Sequence, residues 1–80
     1  SGVPDLYVAH KYWSGWLELK TSSKVTEQQK HNLNELRRHG ISAIVVRRTE
    51  LGTVVLASPD ETWTMPFESF EQAWSHLCQK

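Results

Sequence analysis

Residues 4–21 read PDLYVAHKYWSGWLELKT, and the fold turns on how this stretch pairs with itself. Residues 6–10 (LYVAH) are rich in apolar and β-favouring side chains and read as a strand. Residues 16–21 (WLELKT) alternate in character, which is the period of a second strand. That alternation sends Trp16, Glu18 and Lys20 to one side and Leu17 and Leu19, the latter expected in the core, to the other. Two strands so near in sequence are expected to pair as an antiparallel hairpin. Two registers compete. Closure about Lys11-Tyr12 places Asp5 across from Glu18. Closure about Ser14-Gly15, the stronger local turn cue, sets Lys11 opposite Glu18 and leaves Asp5 without a near partner. A slip of one residue would turn every side chain to the opposite face. A shared site for Asp5 and Glu18 needs the first closure, or a bulge near residues 13–15 that shifts the register, and we adopt that reading.

The rest of the chain supplies a frame for the hairpin. Thr26 is a good helix N-cap, and Gln29 three residues on completes a capping box, so residues 26–39 read as the clearest helix. Gln29, Leu33 and Leu36 share one face of it, a narrow apolar stripe on an otherwise polar helix. Gly40 suits the position just past its end, and Arg37, Arg38 and His39 suit its negative pole. Residues 41–49 (ISAIVVRRT) open with an apolar run and read as a central strand. The order hairpin, helix, strand implies a crossover that makes this strand parallel to an earlier one. A tight turn at residues 50–52 leads to a hairpin partner over 53–57. After a loop at 58–60, residues 61–65 can add a short edge strand. Pro66 is then expected to open a second helix reaching about residue 79, with Phe67, Phe70, Trp74 and Leu77 as its apolar face. The expected fold class is α/β, with a mixed β-sheet and a C-terminal helix, in one domain spanning residues 1–80.

Composition narrows the function classes. Nine basic residues balance nine acidic ones, which argues against indiscriminate coating of nucleic acid. A local basic face remains open to Arg37, Arg38, Arg47 and Arg48, although each pair taken alone reads as solvated surface. The longest apolar runs are far too short to span a membrane, and no basic-then-apolar leader opens the chain. The single cysteine, Cys78, excludes an internal disulfide, reads as a small partly buried residue, and fits a reducing, cytoplasmic compartment. His10, His31, His39 and His76 show no metal-ligand spacing, and there is no Gly-rich phosphate loop.

The chemistry lies at the front of the chain. Two carboxylates, Asp5 and Glu18, with a lysine at position 20, are what metal-assisted phosphodiester cleavage needs. Mg²⁺ takes oxygen ligands, uses one or two protein carboxylates and keeps several waters. Glu18 and Lys20 share a strand face roughly 6.6 Å apart along the chain, and the backbone carbonyl of Leu19 between them can add a further ligand. A lysine there can orient the attacking water or offset charge on phosphate oxygens. The plain alternative is a surface ion pair between Glu18 and Lys20, worth ~0–1 kcal/mol.

The longer pattern is more specific. Gly2-Val3-Pro4-Asp5-Leu6 is followed by Glu18-Leu19-Lys20, then by Gln29 opening a helix, Leu36 seven later and Gly40 four beyond that. This resembles the virus-type replication-repair nuclease (VRR-NUC) branch of the PD-(D/E)xK superfamily, over residues 2–47. The resemblance implies a restriction-endonuclease-like core in which Asp5 and Glu18 bind Mg²⁺ or Mn²⁺, Lys20 assists the water and Gln29 belongs to the catalytic set. Gln29 is equally well read as a capping-box residue, and the two roles are compatible. The resemblance further implies a homodimer acting on branched DNA, such as four-way junctions, and a bacterial, viral or phage origin is expected. The resembled fold opens with a helix that carries a further glutamate, and these eighty residues lack it. Apolar sheet surface is therefore expected to be exposed, with Trp13, Trp16 and Trp63 available to cover it or to form a dimer interface. The competing expectations are a non-catalytic nuclease-fold module that binds DNA or a protein, and a purely structural dimer domain.

Overall fold

Gly15–Lys20 (β2) and Ala43–Arg48 (β3) pair in parallel, from Trp16 opposite Ala43 to Lys20 opposite Arg47, and helix α1 (Glu27–Arg38) makes the crossover between them. Every other pairing is antiparallel. Leu6–Val8 (β1) lies outside β2, while Val54–Ala57 (β4) and Thr64–Phe67 (β5) extend the sheet beyond β3. The strand order is β1-β2-β3-β4-β5, and helix α2 (Phe70–Leu77) closes the chain. The computed structural model describes residues 3–79, so Gly2, the first residue of the sequence motif, lies outside the described residues. The α/β class, the mixed sheet, the crossover and the C-terminal helix are as expected, and the first described element is β1. No described helix is long and apolar enough to cross a membrane.

Two apolar layers sandwich the sheet. On one face Leu33 of α1 packs with Val25, Ala43, Val45 and Ala57, and Trp16 and Leu36 close over them. On the other, Ala73 of α2 packs with Leu17, Val46, Val54 and Leu56. Helix α1 forms where its termini are satisfied. The Thr26 side chain accepts from the Gln29 N–H at 3.1 Å, and Gln29 Oε1 accepts from the Thr26 N–H at 2.9 Å. At the other end Gly40 takes φ +79°, its N–H donates to Arg37 O, and the Ile41 N–H donates to Leu36 O. Those two bonds are a Schellman closure, which favours glycine at the left-handed position.

The register is the one that brings Asp5 to Glu18. Leu6 faces Leu17, Tyr7 faces Trp16 and Val8 faces Gly15, so the hairpin is centred on Lys11-Tyr12. The loop is held by Ser14, whose Oγ accepts from the His10 N–H and donates to His10 O, both at 3.0 Å. Ser14-Gly15 is no turn. Gly15 starts β2 because the backbone there lies against residue 42. A Cβ at this position would come within 2.7 Å of both Ser42 Cβ and Ser42 O, and within 2.8 Å of the Trp13 ring.

Three expectations need correction. Pro66 does not open a helix; it sits in β5 opposite Val55. An edge strand tolerates a residue without an N–H. The helix starts four residues later, at Phe70, where the preceding Ser69 side chain caps the Gln72 N–H at 3.2 Å. Consequently Phe67 reaches the core from a strand, the buried contact of α2 is Ala73, and Phe70 at the helix start is half exposed. Leu19 is not in the core either: it is 47% exposed. It points to the α2 side as alternation demands, but the eight-residue α2 packs over β4 and β5 and leaves that end of β2 bare. The tryptophans do not cover it. Trp13 stacks edge-on against Trp74, Trp16 lies on the α1 face against Tyr7, and Trp63 stays exposed.

Gly15→Ala should destabilise the fold by about 1–3 kcal/mol through overpacking against Ser42 and Trp13. The urea midpoint measures this, and an unchanged midpoint would contradict the close approach described.

Candidate active site

Asp5, Glu18, Lys20 and Gln29 converge on the α1 side of the sheet. Asp5 stands one residue before the Leu6–Leu17 pair, which places it across from Glu18. Its Oδ2 accepts from the Leu19 N–H at 2.9 Å, which pins the carboxylate to the edge of β2. Glu18 is 3% exposed and within hydrogen-bonding reach of Asp5. Burial first, and then the Asp5 carboxyl, push the Glu18 carboxyl above its ordinary value, while Lys20 pulls the other way. Two carboxyl groups pressed together in a partly desolvated place are uncomfortable when both are ionised. They are relieved by a shared proton or by a cation.

Gln29 has two roles at once. Its Oε1 is taken by the Thr26 N–H, so its amide NH₂ must face the other way, and Nε2 donates to Glu18 Oε2 at 3.3 Å. The capping box therefore orients the group that orients Glu18. A residue whose donor side faces Glu18 supports that carboxylate and offers no lone pair to a metal there.

Around the open end of β1 the site widens into a cleft of about 610 Å³. Asp5, Glu18, Lys20 and Gln29 line it on the α1 side, and Leu6, Leu19 and Phe70 line it on the α2 side. The Leu19 N–H faces Asp5 past the end of β1. In an extended strand a residue's carbonyl leaves on the same side as its N–H, so Leu19 O also faces this opening.

Arg47, read from the sequence only as part of a basic pair, is a support of the site. It stands next to Lys20 on the α1 face. Its Nη1 donates to Thr21 O at 2.6 Å and to Ser23 O at 2.8 Å, fixing the chain that leaves β2. Its Nε and Nη2 grip Glu61 in two bonds of 2.9 Å, and the guanidinium holds the Glu61 carboxyl below its ordinary value. Glu61 takes φ +59°, a conformation costing roughly 1–2 kcal/mol for a residue with a Cβ, and this paired contact offsets it. The signal available in the sequence was alternation: adjacent arginines on a strand point to opposite faces. Arg37 and Arg38 lie on α1, where Arg38 pairs with Glu35, so the four arginines form no single basic face.

Comparison of the chain with protein-family models, with curated proteins and with solved structures gives no match. Among the described residues no three His, Cys, Asp or Glu side chains gather as a ready metal cage. Two carboxylates and a carbonyl are nevertheless a donor set of hard oxygens, which suits Mg²⁺ with its retained waters and does not suit a soft or imidazole-seeking metal.

The raised Glu18 value has a consequence for stability. Its folded value lies above its unfolded one, so the protonated form favours folding. That contribution is complete below the unfolded value and is lost as pH rises through the folded one. Without added metal, Glu18→Gln should have a higher urea midpoint than the wild type at neutral pH, because its amide can donate to Asp5. The gap should close below about pH 4, near the unfolded value. A gap that stays constant with pH would mean that packing, and not charge, sets it.

Proposed function

We propose that this chain is a divalent-metal-dependent DNA endonuclease. What carries the reading is the contact between Asp5 and the buried Glu18, with Lys20 and Gln29 on the same sheet face at the open edge of β2. The resemblance of these residues, with Leu36 and Gly40, to the VRR-NUC pattern supports it. Asp5 and Glu18 would hold Mg²⁺ or Mn²⁺ through carboxylate oxygens, with Leu19 O as a further donor. When bound, such an ion polarises the phosphate and acidifies a bound water. Lys20 carries an ammonium that can orient the water or face charge developing on the phosphate oxygens. Gln29 is a positioning residue, holding the Glu18 carboxylate through its NH₂. In the reaction a water oxygen adds to phosphorus, the bond from phosphorus to the leaving oxygen breaks, and that oxygen takes up a proton.

A homodimer that presents two such sites to branched DNA is part of the proposal, supported by the same resemblance.

Calorimetry with Mg²⁺ or Mn²⁺ should show binding that Asp5→Ala removes. Cleavage of a four-way DNA junction should fall by about a hundredfold or more in Asp5→Ala and in Lys20→Ala, with circular dichroism unchanged. Absence of metal binding together with absence of cleavage of any DNA form would sink the enzyme and leave a non-catalytic module.

A further inference from the structure

The cleft has a second wall that the carboxylate chemistry does not use. Leu6, Leu19 and Phe70 are 44%, 47% and 50% exposed, and they stand together over the buried Val46 and Val54. Leu19 is opposite Val46 in the β2–β3 pairing, and Val54 is opposite Arg48 in the β3–β4 pairing, so this wall lies at one end of the α2 face. Glu18 and Leu19 are adjacent on one strand and point to opposite faces. Because β1 begins at Leu6, nothing in the sheet separates the two sides beyond it, and one cleft serves both. Its rim is cationic on each side: Lys20 on the carboxylate side and Arg48 on the apolar side, neither in a direct ion pair among the described residues.

A ligand for this cleft must carry anionic groups a few ångströms from a flat apolar face. A stacked duplex offers only the first, since its base faces are covered. We propose that the cleft takes one unpaired base of a DNA strand, laid on Phe70 and over Leu6 and Leu19, with Arg48 on an adjoining phosphate. The inference rests on the nuclease reading for the position of the reacting phosphate, at Asp5 and Glu18 on the other side of Leu19. It gives substrate choice a physical basis. DNA with a splayed or single-stranded nucleotide beside the cleaved bond can fill both walls, and a fully paired duplex can fill one. The volume, about 610 Å³, is in the range of about 300–1,000 Å³ that small ligands occupy.

The test uses 2-aminopurine, whose fluorescence falls on stacking, at the unpaired position of a forked oligonucleotide, with a blunt duplex as control. Binding is read without cleavage, in Asp5→Asn protein. The fork should bind more tightly than the duplex, and its fluorescence should be quenched. Phe70→Ala should lose the quench and weaken fork binding by about ten- to a hundredfold, leaving duplex binding unchanged. Phe70→Leu, which keeps the apolar bulk, should keep the fold and still lose most of the quench. Arg48→Gln should reduce the salt dependence of fork binding. Equal binding of fork and duplex, or a quench indifferent to Phe70, overturns the proposal. So does a dimer in sedimentation that Phe70→Ala dissociates with no base response, which would make the wall a contact between copies. A quench in the Asp5→Asn protein, with a wild-type protein that neither binds metal nor cleaves, would fail the nuclease reading alone. Cleavage by the wild type with no quench in the Asp5→Asn protein would fail this inference alone.

Discussion

Asp5 continues the β1–β2 ladder with its side chain where the backbone leaves it. The Leu19 N–H points past the last backbone partner of β1, and Asp5 Oδ2 accepts it at 2.9 Å. The bond ends the ladder where Asp5 stands across from the buried Glu18, and the edge of β2 beyond it lies open to the cleft. The hydrogen bond is charge-assisted, which suits a place where a ladder must end without leaving an N–H unsatisfied. Had the sheet simply continued, Leu19 would be covered on its edge and no cleft would exist there.

The site is a local conflict that the rest of the fold tolerates. Glu18 is buried beside a like charge, and its ionisation is disfavoured in the folded chain. Natural folds keep such an arrangement where a ligand or a reaction resolves it. The surrounding contacts show how it is held. Gln29 is locked by the helix cap, and Arg47 anchors both the exit from β2 and the turn that carries Glu61. These held groups orient the carboxylates, and Lys20 beside them carries a charge in no direct ion pair among the described residues.

Much of this was legible in the sequence, and the failures share a cause. The capping box at Thr26 and Gln29, the glycine after α1, and the alternation of residues 16–20 are short-range patterns whose energetics are local, so they read through directly. The register was decided against a local cue. Ser14-Gly15 looks like a turn, but Gly15 answers a tertiary demand, the closeness of Ser42, that no neighbouring residue announces. Pro66 misled in the same way, since a proline that suits a helix start also suits an edge strand and only the pairing with Val55 distinguishes them. Leu19 was placed in the core by alternation, which gives the face and not the depth. Depth depends on what covers that face, here a helix of eight residues packed elsewhere. Arg47 and Arg48, adjacent in sequence, are separated by the same alternation into a half-buried clamp and an exposed cation.

Charge then limits what sort of DNA binding the proposed function could use. With nine basic and nine acidic residues, it has no surplus with which to displace a broad counterion atmosphere. Arg47 is neutralised by Glu61, and Lys30 and Arg38 are paired along α1. What remains near the cleft is Lys20 on one side and Arg48 on the other. On the proposed function, binding would come from a few specific contacts and not from a charged surface. A carboxylate pair that needs a cation would supply one such contact for a phosphate, and an aromatic, apolar wall would supply another for a base. Both would be satisfied only by a strand whose bases are not fully stacked, so a neutral protein of this shape would gain selectivity for opened DNA from the weakness of its general attraction to DNA.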